Sequence, residues 1–125
     1  MILIDSFGWI EYFTDGPLAD KFANYVEAVS PANTFAPTIV IYEVYKVIKR
    51  EAGEDKALEA YAQLKNTKII PLDENLSLSV ADISLEFGMP LADSVIYATA
   101  KRFGAKIITS DPHFEGKNGV MFITK

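Results

Sequence analysis

Short apolar runs alternate along this 125-residue chain with longer stretches of helical period, and that alternation leaves few folds open. The runs are Ile2–Ile4, Asn33–Ala36, Lys68–Leu72 and Lys106–Ser110, with Val120–Ile123 as a short closing candidate. Each is too short for a helix and suits a buried strand. Phe7–Phe13 reads as a short helical turn. Asp15-Gly16-Pro17 starts the next helix, with proline in its first position and Leu18, Phe22, Tyr25, Val26 and Val29 on the buried face. Pro37 and Thr38 open a helix that runs to about Glu51 and stops at Gly53. A further helix covers about Asp55–Leu64. Asp73 is placed to cap a helix whose stripe is Leu76, Val80, Ile83 and Phe87, ending at Gly88. Pro90 restarts the chain into a helix that ends before Gly104. Strands separated by helices predict an α/β layered domain with a mainly parallel sheet.

Composition narrows the chemistry. Half the residues are hydrophobic and 23% are charged, which is enough for a packed core in one domain over residues 1–125. There is no cysteine, so disulfide scaffolds, Cys-based zinc sites and thiol catalysis are out. A single histidine, His113, excludes a His-rich metal site. Lys+Arg 12 against Asp+Glu 17 leaves a net charge of −5, a poor balance for holding phosphates unaided. Phosphate chemistry on this chain needs a metal cation or a local basic patch. The opening Met1-Ile2-Leu3-Ile4-Asp5 lacks a basic leader, and the longest uncharged stretch, Ala28–Tyr42, falls short of the roughly 20 apolar residues of a membrane helix. A soluble, cytoplasmic protein is expected. Repeats, low-complexity tracts and linkers are not visible.

In parallel sheets ligands bind outside the carboxyl ends of the strands. Two of the predicted strands end there on aspartates, Asp5 and Asp111. Asp93 falls in the first turn of the helix after Pro90, at its partially positive end. Glu43 falls on the border of the apolar arc formed by Val40, Ile41, Val44, Val47 and Ile48, from which a side chain can reach a cleft. Carboxylates without His or Cys partners suit hard cations such as Mg²⁺ or Mn²⁺. Close carboxylates repel one another, and a divalent ion relieves that repulsion and can activate water. Each residue taken alone also has a structural reading: Asp5 as a helix cap, Asp111 before Pro112 as a turn residue, Asp93 as a dipole partner, Glu43 as a solvated ion-pair member.

Four local motifs draw these acids together. Ile2-Leu3-Ile4-Asp5-Ser6 with Trp9-Ile10-Glu11-Tyr12-Phe13, then Ile41-Tyr42-Glu43-Val44, then Pro90-Leu91-Ala92-Asp93-Ser94-Val95-Ile96-Tyr97, then Ile107-Ile108-Thr109-Ser110-Asp111-Pro112-His113-Phe114 occur in order. The set resembles the PIN-domain family over essentially the whole chain, and within it the small prokaryotic toxins of the VapC type. The resemblance implies a three-layer α/β/α fold with a central parallel sheet and a Mg²⁺- or Mn²⁺-dependent endoribonuclease. It implies Asp5, Glu43, Asp93 and Asp111 as the catalytic, metal-holding residues, with Ser6 and Thr109 in support. It also implies an RNA substrate, a homodimer or higher homo-oligomer, and an antitoxin partner. At His113 some family members carry another acid, and here a polar surface or loop role is expected rather than that of a metal ligand or general acid. Lys46, Lys49 and Arg50 are read first as a solvated helix face and second as RNA-backbone contacts.

The rival reading is a catalytically silent PIN-fold module that binds partners through Trp9, Tyr12, Tyr42 and Tyr45. A receiver domain or an Asp-x-Asp phosphatase would pair acids near the first strand, and Asp5-Ser6-Phe7 does not. A glycine-rich nucleotide loop is absent.

Overall fold

A computed structural model describes all residues, Met1–Lys125. The elements in chain order are β1 (Ile2–Ile4), α1 (Ser6–Phe13), α2 (Ala19–Val26), β2 (Thr34–Pro37), α3 (Thr38–Ala52), α4 (Glu54–Leu64), β3 (Lys68–Ile70), α5 (Glu74–Phe87), α6 (Leu91–Phe103), β4 (Lys106–Thr109), a 3-10 turn at Pro112–Phe114, and β5 (Val120–Phe122). The five strands form one sheet in the order β3-β2-β1-β4-β5, and every pairing is parallel. The predicted α/β class with a parallel sheet is what forms.

The strand order fixes the layers. The chain steps from β1 to β2 to β3 in one direction, then returns across the sheet to β4. Parallel crossovers are right-handed, so a reversal of direction moves the connecting helices to the opposite face. Accordingly α1, α2, α3 and α4 pack on one another, while α5 packs on α6 and α6 lies against β1, β2 and β4. The result is three layers, α/β/α. The reversal occurs beside β1, the central strand, and this is where an open parallel sheet leaves a crevice at its carboxyl edge.

Register carries this placement down to single residues. Ile4 is the partner of Ile108, so the next residues along, Asp5 and Thr109, emerge side by side. Leu3 is the partner of Phe35, which brings the start of α3 to the same edge. A buried cluster of 29 apolar residues spans both faces and includes Leu3, Ile4, Trp9, Val44, Ile96 and Ile107. Phe114 belongs to it, fully buried, with its ring 6.5 Å from that of Tyr97. That anchor fixes the short turn carrying Asp111 and His113.

Two local devices matter for the site. Gly8 lies where a Cβ would come within 2.6 Å of the Phe22 ring and 2.8 Å of Ile4, so only glycine lets α1 settle this closely on its neighbours. Gly88 and Gly104 end α5 and α6 with left-handed φ of 66° and 68°, a conformation glycine adopts without a Cβ penalty.

Several predicted boundaries shift. The second helix starts at Ala19 rather than Pro17, because the Glu11 carboxylate accepts the Leu18 N–H at 3.4 Å and holds the preceding residues in a turn. Val29 is buried but lies beyond the end of that helix. β3 ends at Ile70 because Pro71 has no N–H to continue the ladder. β4 ends at Thr109, whose hydroxyl takes the Asp111 N–H and turns the chain out of the sheet. No helix is long and apolar enough to cross a membrane.

Candidate functional site

Asp5 leaves β1 and caps α1. It is 3% exposed, and its Oδ1 accepts the Gly8 N–H at 2.9 Å. Its Oδ2 accepts the Thr109 hydroxyl at 2.5 Å. Burial pushes its carboxyl up from an ordinary 3.8 to about 7, aided by the negative charges of Asp111 and Asp93 and opposed by the bonds from Thr109 and Gly8. The capping reading of Asp5 is therefore true and incomplete: one oxygen caps, and the other is held by the neighbouring strand.

Glu43 reaches the same place from the second turn of α3. It is half-buried, and its Oε1 accepts the Ser6 hydroxyl at 2.6 Å. Asp93, in the first turn of α6, is also half-buried, and its pKa is raised by burial and then by the charge of Asp111. Asp111 starts the 3-10 turn, and its Oδ1 accepts the His113 N–H at 2.9 Å. The four acids come from sequence positions spread over most of the chain. All four, with Ser6, line one cleft of about 220 Å³ at the carboxyl edge of β1 and β4. Thr109 lies beneath it, fully buried.

The cleft wall also contains Phe7, Ile10, Val47, Ile96 and Lys46. Lys46 is the one basic residue among them. Lys49 and Arg50 are not part of the wall, and they face outward to Glu54 at 3.5 Å and Glu51 at 3.4 Å. A roomier groove of about 650 Å³ between α3 and α4, lined by Ile41, Tyr42, Tyr45, Lys46, Leu58 and Tyr61, holds no acid.

His113 is exposed, as a loop residue should be, but its ring turns back onto the acids. Its Nδ1 lies 2.6 Å from Asp93 Oδ2 and 3.2 Å from Asp111 Oδ1. These contacts raise its pKa, the Asp93 hydrogen bond most. Sequence reasoning missed this placement because Asp93 and His113 lie on different elements. The local signal was the Asp111-Pro112-His113 turn, which returns the third residue toward the first.

Donor atoms of Asp93, Asp111 and His113, two carboxylates and an imidazole, lie within 4.8 Å of one another, a set that can hold a divalent cation. Burial first, and the neighbouring carboxylate charges after it, raise the pKa values of Asp5 and Asp93.

The PIN domain family model matches residues 2–119. The chain belongs to the PIN domain family. Solved structures extend the likeness at the level of the fold. A toxin–antitoxin complex from Klebsiella pneumoniae aligns with TM-score 0.78 and 24% identity, covering 97% of this PIN domain and 96% of that chain. The sarcin–ricin-loop-cleaving toxin VapC20 of Mycobacterium tuberculosis aligns with TM-score 0.80 and 15% identity, covering 96% and 97%. FitAcB from Neisseria gonorrhoeae aligns with TM-score 0.71 and 20% identity, covering 98% and 97%. No curated protein matches the PIN domain chain by sequence.

Proposed function

We propose that this PIN domain, acting as one domain over residues 1–125, is a divalent-cation-dependent endoribonuclease. The convergence of Asp5, Glu43, Asp93 and Asp111 on one cleft carries the reading. Their donor set suits Mg²⁺ or Mn²⁺, which when bound supplies positive charge to a water and to a phosphate oxygen. The chain's residues prepare the site. Thr109 and the Gly8 amide hold both oxygens of Asp5. Ser6 orients Glu43 by its 2.6 Å bond. Lys46 gives the wall a positive charge for the RNA backbone. Hydrolysis by in-line water attack leaves a 5′-phosphate and a 3′-hydroxyl.

The biological reading follows from the neighbours. VapC20 is a sarcin–ricin-loop-cleaving toxin, and the Klebsiella neighbour is a toxin–antitoxin complex. By likeness, this chain is the toxin half of such a pair, cytoplasmic, a homodimer or higher homo-oligomer, and silenced by an antitoxin protein. One observation favours the rival, a catalytically silent partner-binding module: Tyr42 is 57% exposed beside the apolar α3–α4 groove.

The deciding experiment is cleavage of a structured RNA by the wild type with Mn²⁺, by the wild type with chelator, and by Asp5→Asn with Mn²⁺. Cleavage is expected in the first sample alone. Equal cleavage by the variant identifies a contaminant and rejects the assignment.

A further inference from the structure

The His113 imidazole lies against two of the cleft acids, Asp93 and Asp111. Its Nδ1 touches both carboxylates, at 2.6 and 3.2 Å. The ring is not carried there by a loose loop. Its own N–H donates to Asp111, and the next residue, Phe114, is fully buried. A ring so placed has two possible relations to a bound cation. It acts as a counter-charge that must leave, or it stays and contributes a donor atom.

We propose that His113 is a nitrogen ligand of the cation site, together with Asp93 and Asp111, and that it tilts this PIN domain toward Mn²⁺ over Mg²⁺. The proposal rests on the divalent-cation reading given above and adds a ligand to it. Three observations carry it. Donor atoms of the three residues lie within 4.8 Å of one another, the spread a single ion can bridge. The backbone of the turn already aims the ring at the acids, so ligation exchanges the ring proton shared with Asp93 for the cation, releasing that proton to solvent, without rebuilding the chain. The chain has one histidine and no cysteine, so His113 is the sole side chain that offers a transition metal an imidazole or thiolate donor. Mg²⁺ favours an all-oxygen, partly hydrated shell, whereas Mn²⁺ lies further toward the metals that accept imidazole. A mixed nitrogen and oxygen set therefore separates the two ions, where four carboxylates alone separate them poorly.

The single histidine also makes the test unambiguous. Untagged, metal-free protein is loaded with Mn²⁺, and electron spin echo modulation is recorded for the wild type, His113→Ala and Asp93→Asn. Mn²⁺ and Mg²⁺ affinities are measured by calorimetry on the same samples. The wild type is expected to show coupling to a directly bound imidazole nitrogen, and His113→Ala to show none. In His113→Ala, Mn²⁺ affinity is expected to fall about tenfold, the scale on which lost support of a metal site is felt, while Mg²⁺ affinity changes by less than about twofold. The ring is exposed, so the variant's unfolding midpoint serves as the check that the fold is intact.

Wild-type Mn²⁺ binding without nitrogen coupling overturns the proposal and leaves the carboxylate site standing. So does tighter binding of both ions by His113→Ala, the result expected of a mere counter-charge. Undiminished Mn²⁺ binding by Asp93→Asn overturns the proposed ligand set, and no Mn²⁺ binding by the wild type overturns the cation reading itself along with the ligand.

Discussion

The Thr109 hydroxyl donates to Asp5 Oδ2 at 2.5 Å and accepts the Asp111 N–H at 2.9 Å, so one buried side chain spaces two of the four cleft acids. The contact follows from strand register, because Ile4 pairs with Ile108 and the next residues emerge together. Thr109→Val keeps the shape and removes both bonds. It leaves a buried carboxyl with one donor fewer and a backbone N–H without its acceptor. A loss of about 1–3 kcal/mol of stability is expected by denaturant unfolding, with Thr109→Ser close to wild type.

Asp5 makes stability depend on pH in a stated direction. Its carboxyl rises from 3.8 to about 7 on folding, so the folded state binds the proton more tightly. The stabilising contribution is complete below the unfolded value and is lost as pH rises through the folded one. Metal-free wild type should thus lose up to about 4 kcal/mol relative to Asp5→Asn between about pH 4 and about pH 8. Unfolding of both proteins across that range reads the difference. Added Mn²⁺ should restore the wild type at the alkaline end, since a ligand that binds only the folded state stabilises it.

Gly8→Ala tests how closely α1 must sit. The new Cβ meets the Phe22 ring at 2.6 Å and Ile4 at 2.8 Å, both buried. Overpacking of this kind costs roughly 1–3 kcal/mol, and the shift it forces on α1 displaces Asp5 and Ser6. A lowered unfolding midpoint together with lost RNA cleavage is expected. A wild-type midpoint would show that the neighbours yield at no cost.

The three cations of α3 should separate in RNA binding. Lys46 lines the cleft, whereas Lys49 and Arg50 pair outward with Glu54 and Glu51. Lys46→Ala should raise KM for RNA by roughly three- to tenfold through the lost phosphate attraction, with little change in kcat. Lys49→Ala should leave both near wild type. Steady-state cleavage at fixed salt distinguishes the two.

The fold was largely legible because its strands are nearly pure apolar runs and its helices carry clear stripes, such as Leu76, Val80 and Ile83 on α5. Boundaries moved where a single atom decided them: the Glu11 carboxylate held back α2, and Pro71 cut β3 short. Asp5 and Asp111 were legible as acids at strand ends, and Glu43 as a border residue of α3. Their convergence was not written in periodicity, which orders residues within an element and says nothing about register between elements. The family resemblance supplied that step. His113 escaped for the same reason, since its nearest carboxylate, Asp93, lies on another helix. The Ser6–Glu43 bond likewise joins α1 to α3 across the cleft.

Calorimetric titration of Mn²⁺ into metal-free wild type, Asp5→Asn, Glu43→Gln, Asp93→Asn and Asp111→Asn tests most directly whether these side chains share an ion. Binding by the wild type, weakened at least about tenfold in each folded variant, is expected if the four carboxylates serve one centre. Wild-type affinity retained in all four variants contradicts a shared centre and removes the basis for a metal-dependent nuclease.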